Sequence, residues 1–168
     1  GDFNLVVTDT TIANGSTISS DRIFGNLTIN TGGTLNAVSG AFAMTGNLSN
    51  AGTIAMADAA TGDKVTVSGN FTGGGQIKLD VDTKAKTSDQ LAIAGNSSGT
   101  SQISFTNLTP GEETGATIND VVTVAGTSSA TDFSGSMVGG IYTYKLQYDV
   151  GDFNLVVTDT TIANGSTI

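Results

Sequence analysis

Apolar and polar residues alternate along short runs of this chain, and glycine or asparagine closes most of the runs. Leu27 and Ile29 flank Thr28, Val65 and Val67 flank Thr66, and Ile77, Leu79 and Val81 alternate with Lys78 and Asp80. A period of two places such residues on one face of a β-strand. No window sustains apolar residues at i, i+3, i+4 and i+7, and the 23 glycines in 168 residues would each cost a helix interior about 1 kcal/mol. The pattern predicts an all-β fold.

The strands recur with a period. Gly25-Asn26-Leu27-Thr28, Gly46-Asn47-Leu48-Ser49 and Gly69-Asn70-Phe71-Thr72 are spaced 21 and 23 residues apart, and Gly95-Asn96-Ser97-Ser98 reads as a degenerate fourth copy. Each of the first three is followed by a second short strand opened by glycine: Gly33-Thr34-Leu35, Gly52-Thr53-Ile54 and Gly75-Gln76-Ile77. Short strands at this period, with Gly and Asn at the corners, predict a β-solenoid in which each rung stacks on the last. Leu27, Ile29, Leu48, Ile54, Met56, Val65, Val67, Phe71, Ile77, Leu79 and Val81 would form its dry interior column, with Thr, Ser, Asn and Asp facing out. Seven rungs at the strand spacing would extend about 34 Å. A β-sandwich is the alternative architecture, since short strands at such spacing also fit it.

A longer repeat lies over this one. Residues 1–18 and residues 151–168 are identical, GDFNLVVTDTTIANGSTI, so one complete 150-residue unit is followed by the start of a second. Two origins fit: a tandem array, which we favour, or a duplicated end segment. Tyr142, Tyr144, Leu146, Tyr148 and Val150 alternate with polar residues, and Phe153 and Leu155 follow. The alternation suggests a strand running straight through the junction, with Tyr142, Tyr144, Leu146, Tyr148, Phe153 and Leu155 packing one repeat against the next.

Composition narrows the chemistry. The chain has no Cys, no His and no Trp, which removes disulfide frameworks, Cys or His metal sites and Ser/His or Cys/His catalysis. Six basic against fifteen acidic residues give a net charge of -9, which repels nucleic acid and anionic lipid. A mean hydropathy of +0.09 with 38% hydrophobic residues is too apolar for a disordered acidic chain. No run approaches the roughly 20 apolar residues of a membrane helix, and Gly1 opens without a basic and apolar leader, so a mature or excised segment that does not span a membrane is expected.

From Asp89 onward the residues carry a resemblance. The segments Asp89-Gln90-Leu91-Ala92-Ile93-Ala94-Gly95, Ile103-Ser104-Phe105-Thr106-Asn107, Val121-Val122-Thr123-Val124-Ala125-Gly126, Phe133 and Gly140-Ile141-Tyr142-Thr143-Tyr144-Lys145-Leu146, in that order, resemble the pertactin-like stem at the C-terminal end of bacterial autotransporter passengers. The upstream Gly-Asn rungs resemble autotransporter-associated β-strand repeats. This likeness covers most of residues 89–155 and implies a right-handed parallel β-helix displayed on a Gram-negative cell surface, with the stem stabilising the helix and helping it fold outside the cell. Phe153-Asn154-Leu155 stands where the family carries a Trp-containing strand, and no stretch reads as the membrane barrel. The chain divides accordingly into solenoid rungs over residues 1–88, a stem-like end over 89–150, and the start of the next repeat over 151–168.

Other candidates for chemistry have plainer readings beside them. Asp80 and Asp82 share one face of a strand, with Asp63 and Asp89 nearby, so a carboxylate pair for hydrolysis or for Ca²⁺ is conceivable; the expectation is a solvated outer face. The single arginine, Arg22, falls in the opposite half of the unit, which weakens a polysaccharide-lyase reading. Asn-x-Ser/Thr sequons occur at Asn14, Asn26, Asn47, Asn70, Asn96, Asn107 and Asn164, several as the Gly-Asn rung motif itself. Tyr142, Tyr144 and Tyr148 form either an aromatic ladder for sugars or, as expected here, packing.

No enzyme and no cofactor is expected. The function expected is a structural repeat unit of an extended extracellular stalk, adhesin shaft or filament at the bacterial cell surface, stacking end to end with identical units in the same chain. Two alternatives are a glycan- or host-protein-binding adhesin module, and a noncovalent homopolymer that uses the duplicated 18 residues as a donor strand.

Overall fold

The computed structural model describes residues 9–38 and 40–161. The first eight residues, Ser39 and residues 162–168 lie outside that description, and with them parts of both copies of the duplicated segment. Every element among the described residues is a strand.

The described residues wind through five successive coils, each with one strand on each of three faces. The first coil is β1 (Asp9–Ile12), β2 (Thr17–Ser19) and β3 (Arg22–Ile23), and the second is β4 (Asn26–Ile29), β5 (Thr34–Asn36) and β6 (Ala41–Met44). The third is β7 (Leu48–Asn50), β8 (Thr53–Ala55) and β9 (Lys64–Val67). The fourth holds β10 (Phe71–Thr72), β11 (Gln76–Asp82), a two-residue return strand β12 (Thr87–Ser88) and β13 (Gln90–Ile93). The fifth is β14 (Ser97–Ser98), β15 (Ser101–Asn107) and β16 (Ile118–Val124). Equivalent strands of adjacent coils pair in parallel, giving three faces: β1-β4-β7-β10-β14, β2-β5-β8-β11-β15 and β3-β6-β9-β13-β16. This is a parallel β-helix, and three parallel ladders exclude the sandwich alternative, whose sheets are antiparallel.

Register confirms the short repeat. Leu27 lies opposite Leu48, Leu48 opposite Phe71, and Phe71 opposite Ser97, so the degenerate Gly-Asn-Ser-Ser copy is a true rung. On the second face Leu35, Ile54, Ile77 and Ile103 stack in register. All eleven residues expected in the interior column are buried. The described coils number five rather than seven, because the last third of the unit spends its residues on longer strands and an antiparallel end. Five coils at the strand spacing extend about 24 Å.

One corner explains the Gly-Asn motif. The backbone N–H of Asn47 donates to Asn26 Oδ1 at 2.9 Å, that of Asn70 to Asn47 Oδ1 at 2.8 Å, that of Asn96 to Asn70 Oδ1 at 2.8 Å, and that of Thr127 to Asn96 Oδ1 at 2.8 Å. The preceding glycines stack just as closely: a Cβ on Gly46, Gly69, Gly95 or Gly126 would fall within 2.6 Å of an atom of the coil before it. A side chain is sterically excluded there. The asparagine oxygens of four sequons are committed to this ladder.

Candidate functional site

The features that depart from simple coiling are concentrated toward the C-terminal end. After the fifth coil the loop through Thr127 and Asp132 folds over the last strand of the first face. Ser97 N–H donates to Thr127 O at 2.9 Å and Ser97 Oγ to Asp132 Oδ2 at 2.5 Å. The chain then forms β17 (Phe133–Gly139), β18 (Tyr142–Asp149) and β19 (Asp152–Thr160). β17 continues the second face by pairing in parallel with β15, β18 runs back antiparallel to β17, and β19 lies antiparallel to both β18 and β16. The meander thus joins the second and third faces into one continuous sheet. None of these three faces ends in an uncovered edge on this side.

The slot between β16 and β18 is filled by the second copy of the duplicated segment. All eight residues of β18 find partners on β19, from Asp149 opposite Asp152 to Tyr142 opposite Thr160. Phe153 and Leu155 are fully buried. Phe153 meets Phe133 edge-on at 4.9 Å between ring centroids and Tyr148 at 5.1 Å, and Phe133 stacks on Phe71 at 5.4 Å. This row of rings connects the cap to the apolar column of the coils. On the polar side, Asp120 N–H donates to Asn154 Oδ1 at 2.8 Å.

The six residues named for the junction lie on a hairpin, β18 and β19, rather than along one straight strand. Tyr144, Phe153 and Leu155 are buried, Tyr142 and Leu146 are half-buried, and Tyr148 lies at the exposed margin. The turn is Val150-Gly151, with φ of 40° and 93°, the positive pair that a two-residue type I′ turn requires. The sequence does carry a signal for it. Tyr142 through Tyr148 occupy even positions whereas Phe153 and Leu155 are odd, a phase change that a straight strand cannot accommodate and a two-residue turn produces. Val-Gly is not a usual type I′ pair, and this masks the signal.

The acidic cluster is the second departure. Asp63, Asp80 and Asp89 are buried rather than on a solvated outer face; only Asp82 is half-exposed. The segment 56–63 and the turn before β13 fold over that part of β11. Asp80 Oδ2 accepts the N–H groups of Asp58 and Ala59 at 2.7 Å each, and Asp89 Oδ1 accepts those of Gly62 and Asp63 at 3.1 and 3.0 Å. Asp89 Oδ2 accepts Asp80 N–H at 2.7 Å, and Asp63 Oδ1 accepts Gly40 N–H at 2.6 Å. The carboxylates act as clamps on loop amides. Burial, together with the neighbouring Asp63 and Asp80 charges, pushes the Asp89 carboxyl up to about 6, against the pull of its backbone N–H partners. Burial also raises Asp63, whereas Asp82 is lowered, chiefly by the Ala85 N–H. Among the described residues no three carboxylates converge to hold a metal ion. The Lys84–Glu112 ion pair is exposed and contributes little.

A three-faced parallel β-helix closed at one end by an antiparallel meander is the class of fold that these elements define. Residues 43–146, more than half of the chain, match the family model for Autochaperone Domain Type 1, and the chain belongs to that family. The match runs from β6 into β18, and so takes in the later coils and the first part of the cap, with β19 beyond its end. Its context is the autotransporter passenger, a protein carried to the outer membrane or beyond. A comparison with curated proteins found no match.

Proposed function

We propose that the chain is a load-bearing segment of an extended β-helical passenger at the bacterial cell surface, built from units of about 150 residues that stack end to end. Its role is mechanical and not catalytic. The observation that carries this reading is the placement of the repeat boundary: the sequence returns to its beginning at Gly151, where β19 completes the closed end of the coils. β19 runs through Thr160, so the second copy spends on the cap two residues, Asp159 and Thr160, whose first-copy equivalents Asp9 and Thr10 lie in the first coil as part of β1.

Stacked ladders resist bending because every coil shares backbone hydrogen bonds with its neighbours along three faces. The outer surface of Thr, Ser and Asn suits exposure to water without a redox-sensitive group. The burial of Asp80 removes it from any surface that could engage a sugar. The intact mass of the natural polypeptide, measured under denaturing conditions without proteolysis, tests the reading. A mass of many units supports a stalk or filament shaft, and a mass near 16.8 kDa overturns it.

A further inference from the structure

The cap contains a receptor and a ligand that occur in unequal numbers. The described residues hold one slot, between β16 and β18, and the chain carries two copies of the sequence that fills it. We infer that this slot accepts residues 1–8 of a second copy of this chain in place of its own residues 151–158, linking coils head to tail by strand exchange. Three observations carry the inference.

The first is identity of the filler. Phe3, Leu5 and Asn4 of the second copy are the same residues as Phe153, Leu155 and Asn154. They bring the same ring for Phe133 and Tyr148, the same apolar group for the position opposite Leu146, and the same amide oxygen for Asp120 N–H. With Asp9 and Thr10 kept in β1, the incoming strand reproduces these contacts and forgoes only the pairings of Asp159 with Thr143 and of Thr160 with Tyr142.

The second is the hinge. Val150 is held at φ 40° and is 89% exposed. A β-branched residue in the left-handed region is strained, and here no burial of its side chain compensates. Short strained hinges favour exchange of the element they hold. Opening the Val150-Gly151 turn relieves the strain without breaking a coil.

The third is adjacency. In the sequence the proposed filler runs without a break into Asp9–Ile12, which pair with Asn26–Ile29 at the outer edge of the described coils. A second copy inserting residues 1–8 therefore places its own first coil directly beyond the closed end of its host. The contact is heterologous, with slot on one copy and filler on the other, so it propagates instead of closing as a dimer. Backbone pairing along an exposed edge supplies affinity, and the Phe3 and Leu5 pockets supply register.

The inference extends the shaft reading to a noncovalent contact and is tested separately from it, since strand exchange is read on this chain whatever the mass of the natural polypeptide. A fluorescent peptide with the sequence of residues 1–8 is incubated with the full chain and its incorporation followed by size-exclusion chromatography. Uptake is expected, with none for a scrambled peptide or for one carrying Leu5→Asp. Val150→Asn, which creates the favoured Asn-Gly turn, is expected to slow uptake about tenfold by removing the hinge strain. In a second measurement, native mass spectrometry of the full chain at rising concentration is expected to give an open series of oligomers that Phe3→Asp abolishes. Absence of peptide uptake by both the natural chain and its Phe153→Asp/Leu155→Asp variant overturns the inference. So does equal uptake of the scrambled peptide, or a series that stops at dimers and ignores Phe3→Asp, which would assign the exchange to the C-terminal copy.

Discussion

Asp89 makes the fold sensitive to pH in an unusual direction. Its carboxyl is buried, accepts three backbone N–H groups, and titrates at about 6 in the folded chain against an ordinary carboxylate value of 3.8. Between those values the native state binds a proton that the unfolded state does not. Stability therefore falls as pH rises from about 4 to above 6, and acidification over that window restores it. The gap between 3.8 and about 6 is worth roughly 3 kcal/mol, at about 1.36 kcal/mol for each pH unit. Asp63 is raised as well and adds to the same slope. Asp82 is lowered; its contribution is present above 3.8 and is lost below the window, so it does not mask the effect. General relief of the acidic net charge also favours low pH, and the control for it is Asp89→Asn, which leaves every other carboxylate in place. Urea unfolding followed by circular dichroism at half-unit steps from pH 4 to 8 should show the natural chain losing stability with rising pH and Asp89→Asn losing much less. A natural chain that gains stability across this window, or a variant with the same slope, would refute the assignment of the slope to the buried clamp.

Phe153→Ala should cost about 3–5 kcal/mol by emptying a fully buried ring site, read as a fall in the denaturant midpoint with loss of near-ultraviolet dichroism. Gly69→Ala places a Cβ 2.5 Å from Asn47 Oδ1 and 2.6 Å from Gly46 O, whereas Gly74→Ala meets nothing closer than 3.7 Å; the first should destabilise by about 1–3 kcal/mol and the second should leave the melting temperature unchanged within error. Asn70→Ala removes one step of the corner ladder and should cost about 1 kcal/mol, with Asn70→Asp recovering part of it. Deleting residues 151–168 uncovers the facing edges of β16 and β18 and should promote aggregation; a deletion variant that melts unchanged and scatters as a monodisperse particle would count against the cap.

The coils are readable in the sequence because a single physical constraint repeats in each of them. Glycine is required wherever adjacent backbones close to within a Cβ diameter, asparagine wherever a side-chain oxygen must reach the next amide, and so Gly46, Gly69 and Gly95 with their asparagines mark the corner directly. Alternation then assigns the interior, and Leu27 to Val81 fall where a period of two puts them. The acidic cluster is not readable in the same way. Alternation describes a strand with one wet face, but it says nothing of a loop that returns to cover that face, and the burial of Asp80 depends on residues 56–63 folding over it. The cap is half-readable: its apolar residues stand out, while the reversal at Val150-Gly151 is hidden behind a residue pair that turns only under strain. Strand direction is invisible to a period-two pattern, which reads identically in parallel and antiparallel partners.

Joining two faces of the coil through one meander has a kinetic consequence. In-register partners on neighbouring coils are separated by 17 residues between Asp9 and Asn26, 21 between Leu27 and Leu48, and 26 between Phe71 and Ser97, so each coil can form in a local step onto one already laid down. The cap instead ties Ile118 to Leu155 and locks one terminus of both ladders. Such a body melts like a zipper with a stop at one end: coils can come apart in sequence from the first one, while from the other side they leave only when the whole closure fails. Pulled or heated, the described body should lose its coils from the first one inward for as long as β19 stays in its slot.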